Sequence, residues 1–356
     1  MDNMPGRFPP PDDAGPGWAP RPEGPPQGSG GWQAPTQRGF YPLDIGRVFG
    51  LTFSLFRFRW KTFVGVSLLV IVPVAAIQAF ATTLSSPDMY SELAEIARGR
   101  SFDALARFFT AALAVSLVLG LIIGIATYIG TAAVTDLTVK VFGGVAANGV
   151  GSLKRALSRF VTLGVLYLFV FLATVVVVAV GVFVGMGLFL ATATGGQIIP
   201  GPTVFLALII FVATAVVLLF LVVRWTLAVQ VAMVESAGAM TSLRRSWHLV
   251  AGSGWRVFGY ILAFGLLVAL IAGVIGAIVS LVLNPVRIIG LSTIEIDPTR
   301  YAIATFVSTI IAGVLVPIPT IATTLLYYDL RFRKSERMPE PGQGLPTDQP
   351  PLPTEQ

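Results

Sequence analysis

The residues able to do chemistry in this chain are mainly cations, and they come in short runs beside aromatic rings. The densest run is LRRSWHLVAGSGWRVFGY, residues 243–260, with Arg244, Arg245 and Arg256, Trp247 and Trp255, and His248, the single histidine of the sequence. Two further runs share its pattern. DIGRVFGLTFSLFRFRWKTFVGV, from Asp44, holds Arg57, Arg59 and Lys61, and GSLKRALSRFVTLGV, from Gly151, holds Lys154, Arg155 and Arg159. Guanidinium and ammonium groups flanked by tryptophan and phenylalanine are suited to phosphate at a membrane surface, the rings lying at the acyl boundary and the charges on lipid headgroups. Eleven residues form this expected interface: the nine Lys and Arg just named, with Trp247 and Trp255.

Four more ionisable residues, Asp136, Arg224, Glu235 and Asp329, stand near the ends of apolar segments and make up an expected intramembrane polar site. Arg224 closes the stretch VFLALIIFVATAVVLLFLVV and is the most deeply embedded cation. Such residues are functional candidates and are commonly paired; Glu235 and Asp136, from equivalent helix ends, are the expected partners. The alternative is that the long Arg224 side chain reaches the interface and anchors the helix. Asp329 is expected to pair with Arg244 or Arg245. Pro317 and Pro319 interrupt VLVPIPTIATT, where a missing backbone donor forces a kink and Thr320, Thr323 and Thr324 offer polar contacts. Pro73 invites the same reading.

Other chemistries find little support. There is no cysteine, which excludes disulfides and thiolate chemistry, and one histidine does not make a histidine metal site. No P-loop, GxSxG or metal-ligand spacing occurs, so no metal or cofactor is implied.

These residues must be positioned by a membrane-embedded frame. Only 12% of the 356 residues are charged, 54% are hydrophobic, and the mean hydropathy is +0.80. Soluble domains average about 25% charged residues. The net charge of +6 reflects cations beside apolar segments, which argues for membrane topology and against nucleic-acid binding. Six segments are long enough to span a bilayer, at 62–84, 107–131, 160–193, 203–228, 256–283 and 301–327. The third is rich in Val and Gly, and a break is expected near Gly181 to Gly187. The stretch 86–109 has helical periodicity and predicts an amphipathic helix between spans one and two. Residues 1–40 and 336–356 are rich in Pro and Gly and predict disordered tails, the first of which offers PPII-prone RFPPP and Trp-Pro pairs to protein partners. The domain organisation is therefore a tail (1–40), a six-helix membrane domain (41–335) and a second tail (336–356). No apolar run precedes residue 40, so insertion is expected to be directed by the first span.

With the N-terminus inside, 17 Lys and Arg flank the inner ends of the spans, against Arg98, Arg100, Arg107, Arg287 and Arg300 outside. The positive-inside rule then places both termini in the cytoplasm. The arginine excess over lysine fits a GC-rich bacterial genome, hence a multi-pass protein of a bacterial plasma membrane.

Each basic run leads into an odd-numbered span. SLKRA and SLRRS align closely, with Ser152 and Ser242 (or Thr241) as expected N-caps. Leu243, Trp247 and Val250 are expected to face lipid while Arg244, Arg245 and His248 face water. The fold class predicted is an all-α integral membrane protein whose six helices form three repeats of an interfacial amphipathic helix plus a transmembrane hairpin.

VRWTLAVQVAMVE, SLRRSWHLVAGSGWRVFGY and PIPTIATTLLYYDLRFRK together resemble the membrane domain of glycerophosphoryl diester phosphodiesterases, a domain that also occurs alone in bacterial membrane proteins; LDIGRVFGLTFSLFRFRWKTFVGVSLLVIVP looks like its opening helix. The resemblance covers about residues 41–335. Gln230-Val231 depart from it where a proline follows the Arg-Trp pair. In relatives that hydrolyse glycerophosphodiesters, the chemistry belongs to a separate TIM-barrel domain, which this chain lacks. The resemblance implies a non-catalytic membrane module that organises lipid, through anionic headgroups, or protein partners. The alternatives are a transporter or lipid-handling protein with a site near Arg224 and the Pro317 kink, and a membrane-embedded enzyme acting on phospholipid headgroups. The last lacks a visible nucleophile–base pair.

Overall fold

In the computed structural model the described residues are 44–97, 102–194, 200–283, 286–289 and 293–334; the expected tails lie outside them. The described residues are helical apart from one short hairpin. Helix α1 (Ile45–Phe58) precedes α2 (Trp60–Ala97) and α3 (Phe102–Phe142); α4 (Gly149–Ser158) precedes α5 (Phe160–Thr194), α6 (Pro200–Trp225) and α7 (Ala228–Val234). Helix α8 (Ala239–Val250) precedes α9 (Gly254–Leu283), the hairpin β1 (Val286–Ile289) and β2 (Thr293–Ile296), then α10 (Pro298–Leu315) and α11 (Pro317–Arg333). The antiparallel strands pair Val286 with Ile296 and Arg287 with Glu295.

Six segments are long and apolar enough to cross a membrane: Trp60–Thr83, Leu113–Phe142, Phe160–Gly185, Phe205–Val234, Gly254–Leu283 and Pro298–Arg333. Their outer walls carry large apolar side chains with no protein cover, such as Phe183 at 78%, Phe211 at 72% and Leu281 at 82% exposure. Water does not tolerate apolar walls of that extent, whereas lipid does.

Four elements differ from expectation. α2 has 38 residues and α3 has 41, so most of the stretch expected as a separate amphipathic helix continues spans one and two; residues 98–101 lie outside the described set. α5 runs unbroken through Gly181 to Gly187, since glycine alone does not break a helix whose backbone must be satisfied internally. α2 likewise runs unbroken through Pro73. Span four, by contrast, is interrupted at Thr226-Leu227, between α6 and α7, although no proline stands there. Span six divides at Val316, as Pro317 and Pro319 predict. Val316 keeps helical dihedrals (φ −50, ψ −38), so the break is a gap in the hydrogen-bond ladder: two prolines supply no N–H to the turn before them.

The short helices turn into spans through minimal joints. Arg59 links α1 to α2 and Arg159 links α4 to α5. Between α8 and α9 the turn uses Gly252 at φ +82, a left-handed conformation that glycine adopts without strain. Close helix approach also depends on glycine. A Cβ at Gly124 would sit 1.8 Å from the Tyr167 ring, and the Tyr167 hydroxyl donates to the Gly120 carbonyl at 2.6 Å. Such small-residue contacts are the usual means of helix packing in lipid.

Candidate functional site

The basic ends of the spans converge on three carboxylates, Asp136 and Asp329 buried and Glu235 partly so. Asp136, near the end of α3, receives Lys140 at 2.5 Å and Arg155 of α4 at 3.3 Å. Glu235, the C-cap of α7, receives Arg245 of α8 at 3.4 Å, Arg331 of α11 at 3.4 Å and the Tyr327 hydroxyl at 2.7 Å. Asp329, fully buried on α11, receives Arg256 of α9 at 3.2 Å and Arg333 at 3.0 Å. Lys140 and Arg333 stand four residues after their acids, one helical turn on the same face. The other partners come from different helices and tie the ends together. Each of these carboxylates meets two cations.

Arg155 and Arg245 occupy the same position in the SLKR and SLRR runs, and each pairs with the acid ending the preceding span. Asp329 is expected to pair with Arg244 or Arg245; the pairs found are with Arg256 and Arg333. Arg245 is drawn to Glu235, seven residues before its own helix begins its basic run, while Arg244 points outward. Nor do Ser152 and Ser242 cap their helices. The N-caps are Asn148, whose side chain accepts from the Val150 amide at 3.1 Å, and Gly238. Both serines are fully buried, with Ser152 accepting from Lys140 at 3.4 Å and Ser242 donating back to the Gly238 carbonyl at 2.9 Å.

The apolar face of α8 is also reassigned. Leu243 and Val250 are buried against protein, so this side of the helix packs on the bundle; Arg244 and His248 face outward as expected. His248 takes part through its backbone carbonyl, which accepts from Lys334. Arg159 donates to the Ala232 carbonyl of α7 at 2.9 Å. Its burial, and then the charge of Arg155, pull its pKa below the ordinary arginine value. Trp255 is 87% exposed. Arg57, Arg59, Lys61, Lys154 and Arg244 are exposed as well, and among the described residues no carboxylate pairs with them.

Arg224 is not joined to Glu235 or Asp136, both of which are already engaged. Its guanidinium lies 5.1 Å from the Phe220 ring centroid and 4.8 Å from that of Trp247, and it donates to the Trp247 carbonyl at 3.5 Å. Phe220 and Trp247 themselves meet edge to face. The Ser246 hydroxyl fixes this joint from the other side by donating to the Arg224 carbonyl at 2.8 Å. Arg224 borders an open groove of about 810 Å³ between α6 and α9.

A second cavity, about 300 Å³, lies where the two helix breaks face each other. Thr127, Tyr128 and Thr131 of α3, Thr174 of α5, Thr226 and Gln230 at the first break, and Pro319, Thr320 and Thr323 at the second all line it. No charged side chain does. Gln230 is 1% exposed, donates to the Thr323 hydroxyl at 2.9 Å, and leaves its Oε1 without a partner among the described residues. The Pro317 region therefore adjoins hydroxyls and an amide, while Arg224 and Glu235 stand outside this cavity. Thr324, expected as a further polar contact, instead donates to the Thr320 carbonyl at 2.8 Å and is fully buried.

Sequence reasoning passed over Tyr327, Arg331 and Gln230 as site residues. Tyr327 and Arg331 are one turn apart, and the Arg331 guanidinium donates to the Tyr327 hydroxyl at 2.8 Å; that spacing was legible. Gln230, an amide within the otherwise apolar AVQVAMV, was the other available signal.

Residues 62–330 match the family described as a domain of unknown function, DUF7847. No curated protein and no solved structure matches the chain.

Proposed function

Given that the chain belongs to the DUF7847 family, we propose that it is a non-catalytic integral protein of a bacterial plasma membrane, with both termini cytoplasmic, that gathers anionic lipid around its basic end. The single observation supporting this reading is the surplus of cations there. Arg57, Arg59, Lys61, Lys154 and Arg244 are outward-facing without carboxylate partners among the described residues. Each basic residue near a membrane surface attracts anionic lipid by about 1 kcal/mol, and the attraction is additive enough to sort lipids. We read α1, α4 and α8, each with its following hairpin, as three copies of one interfacial unit; the equivalent pairings of Arg155 and Arg245 support it. The likeness of the SLRRSW and TLLYYDLR blocks to the membrane domain of glycerophosphoryl diester phosphodiesterases supports the same non-catalytic reading. Pro-rich tails on the cytoplasmic side would then recruit protein partners.

The test is energy transfer from labelled protein to headgroup-labelled phosphatidylglycerol or phosphatidylcholine in mixed vesicles. Preferential transfer to phosphatidylglycerol, reduced by salt and by neutralising the five outward cations together, is expected. Equal transfer to both lipids would sink the reading.

A second reading is favoured by the cavity at the two helix breaks. Broken helices that line polar cavities form binding sites in transporters, and here the fitting ligand is neutral and hydrogen-bonding. Uptake of a neutral solute into proteoliposomes, abolished by Gln230→Leu, is the result this reading requires; Gln230→Leu leaving uptake unchanged would dismiss it.

A further inference from the structure

We propose that the groove between α6 and α9 holds one anionic phospholipid, its phosphate on Arg224 and an acyl chain along the apolar trough. This deepens the lipid-gathering reading by naming a single stoichiometric site. The groove, about 810 Å³, falls within the roughly 300–1,000 Å³ common for ligand clefts. Its trough is formed by Val216, Leu219, Phe220 and Val223 of α6 and Phe258 of α9, with Arg224 and Arg256 lining it too.

Three features select a lipid phosphate. First, Arg224 has no carboxylate partner among the described residues, and a cation at the end of a membrane span needs an anion or water. Second, Phe220 and Trp247 hold the guanidinium between them at 5.1 and 4.8 Å. The fork is thus oriented in advance, so less entropy is lost when it meets a phosphate. Third, Arg256 lines the same groove as a second cation. A free phosphate ion would satisfy the charge but leave the trough uncovered. Val216 at 57%, Leu219 at 42% and Phe220 at 48% exposure open that trough sideways, the direction from which a chain in the bilayer arrives.

The test uses the full chain purified in detergent and stripped of lipid, with bound lipid counted by native mass spectrometry. The probes are phosphatidylglycerol, phosphatidylcholine and soluble glycerol 3-phosphate. One phosphatidylglycerol per chain is expected, retained about tenfold better than phosphatidylcholine, with no binding of glycerol 3-phosphate. Arg224→Gln is expected to lower retention about tenfold, the loss of one charge-assisted contact. Val216→Trp, which fills the trough and leaves every charge in place, is expected to do the same. It keeps the test decisive if Arg224→Gln does not fold. Equal retention of the two lipids by the wild type overturns the site, as does binding of glycerol 3-phosphate or undiminished retention in a folded variant. Neutralising Arg57, Arg59, Lys61, Lys154 and Arg244 leaves this bound lipid in place. A loss of general anionic enrichment in that variant with the bound lipid retained, or the reverse in Arg224→Gln, separates the groove from the collective effect.

Discussion

Helices α4 and α8 are fastened by charge, whereas among the described residues no ion pair fastens α1 and apolar packing holds it. Arg155 of α4 meets Asp136 at 3.3 Å, and Arg245 of α8 meets Glu235 at 3.4 Å. No carboxylate pairs with the basic residues of α1 among the described residues. It is held instead by fully buried Val48 and Leu55 and by Phe49, whose ring stacks 4.1 Å from that of Phe264 on α9. The difference has a simple origin. In α4 and α8 the acid comes from the end of the preceding span, and among the described residues no span precedes α1. Asp329, at the end of span six, holds the corresponding place, but it engages Arg256 and Arg333. All basic residues of α1 are therefore left to the surroundings.

This contrast can be broken in several places. The largest effect is expected at Asp329. Replacing it with Asn leaves two guanidiniums, Arg256 and Arg333, without the carboxylate they share, and breaking a buried pair in this way costs about 3–5 kcal/mol. Detergent-titration unfolding of Asp329→Asn measures it. Next is Glu235→Gln, expected to cost about 2–3 kcal/mol, because Arg245, Arg331 and Tyr327 all converge on that carboxylate. A double-mutant cycle of Glu235→Gln with Arg245→Met should show coupling of about 1 kcal/mol; additive losses would mean that the pair does not hold α8. Phe49→Ala is expected to cost about 2 kcal/mol, part cavity and part lost ring stacking. Charge-neutral changes at Arg57 or Arg59 should leave stability within about 0.5 kcal/mol. The smallest of the clamp effects is expected for Asp136→Asn, about 1 kcal/mol, since Arg155 remains 42% exposed and water replaces much of what it loses.

The sequence carried the six spans, the three basic helices and the proline break, because apolar length and proline chemistry are local properties. Partner choice was not legible. Several cations lie within reach of each acid along the chain, and only the packing of α11 against α7 and α9 sends Arg331 to Glu235 and Arg256 to Asp329. The break at Thr226-Leu227 carries neither proline nor glycine, so nothing local announces it. The serine caps were misread because Asn148 and Gly238 begin their helices four residues earlier than the SLKR and SLRR runs suggest. Gln230 and the threonines of the cavity at the helix breaks sit on four separate segments of chain, and their convergence is a property of the bundle.

The five outward cations, Arg57, Arg59, Lys61, Lys154 and Arg244, are proposed to concentrate anionic lipid around the basic end. Extracting the protein with its native lipid in polymer-bounded discs, and measuring the lipid composition of those discs against the bulk membrane, tests it most directly. Enrichment in anionic lipid is predicted for the wild type, with most of it lost when Arg57, Arg59, Lys61, Lys154 and Arg244 are neutralised together. Discs with the bulk composition, or enrichment that survives the neutralisation, would contradict it.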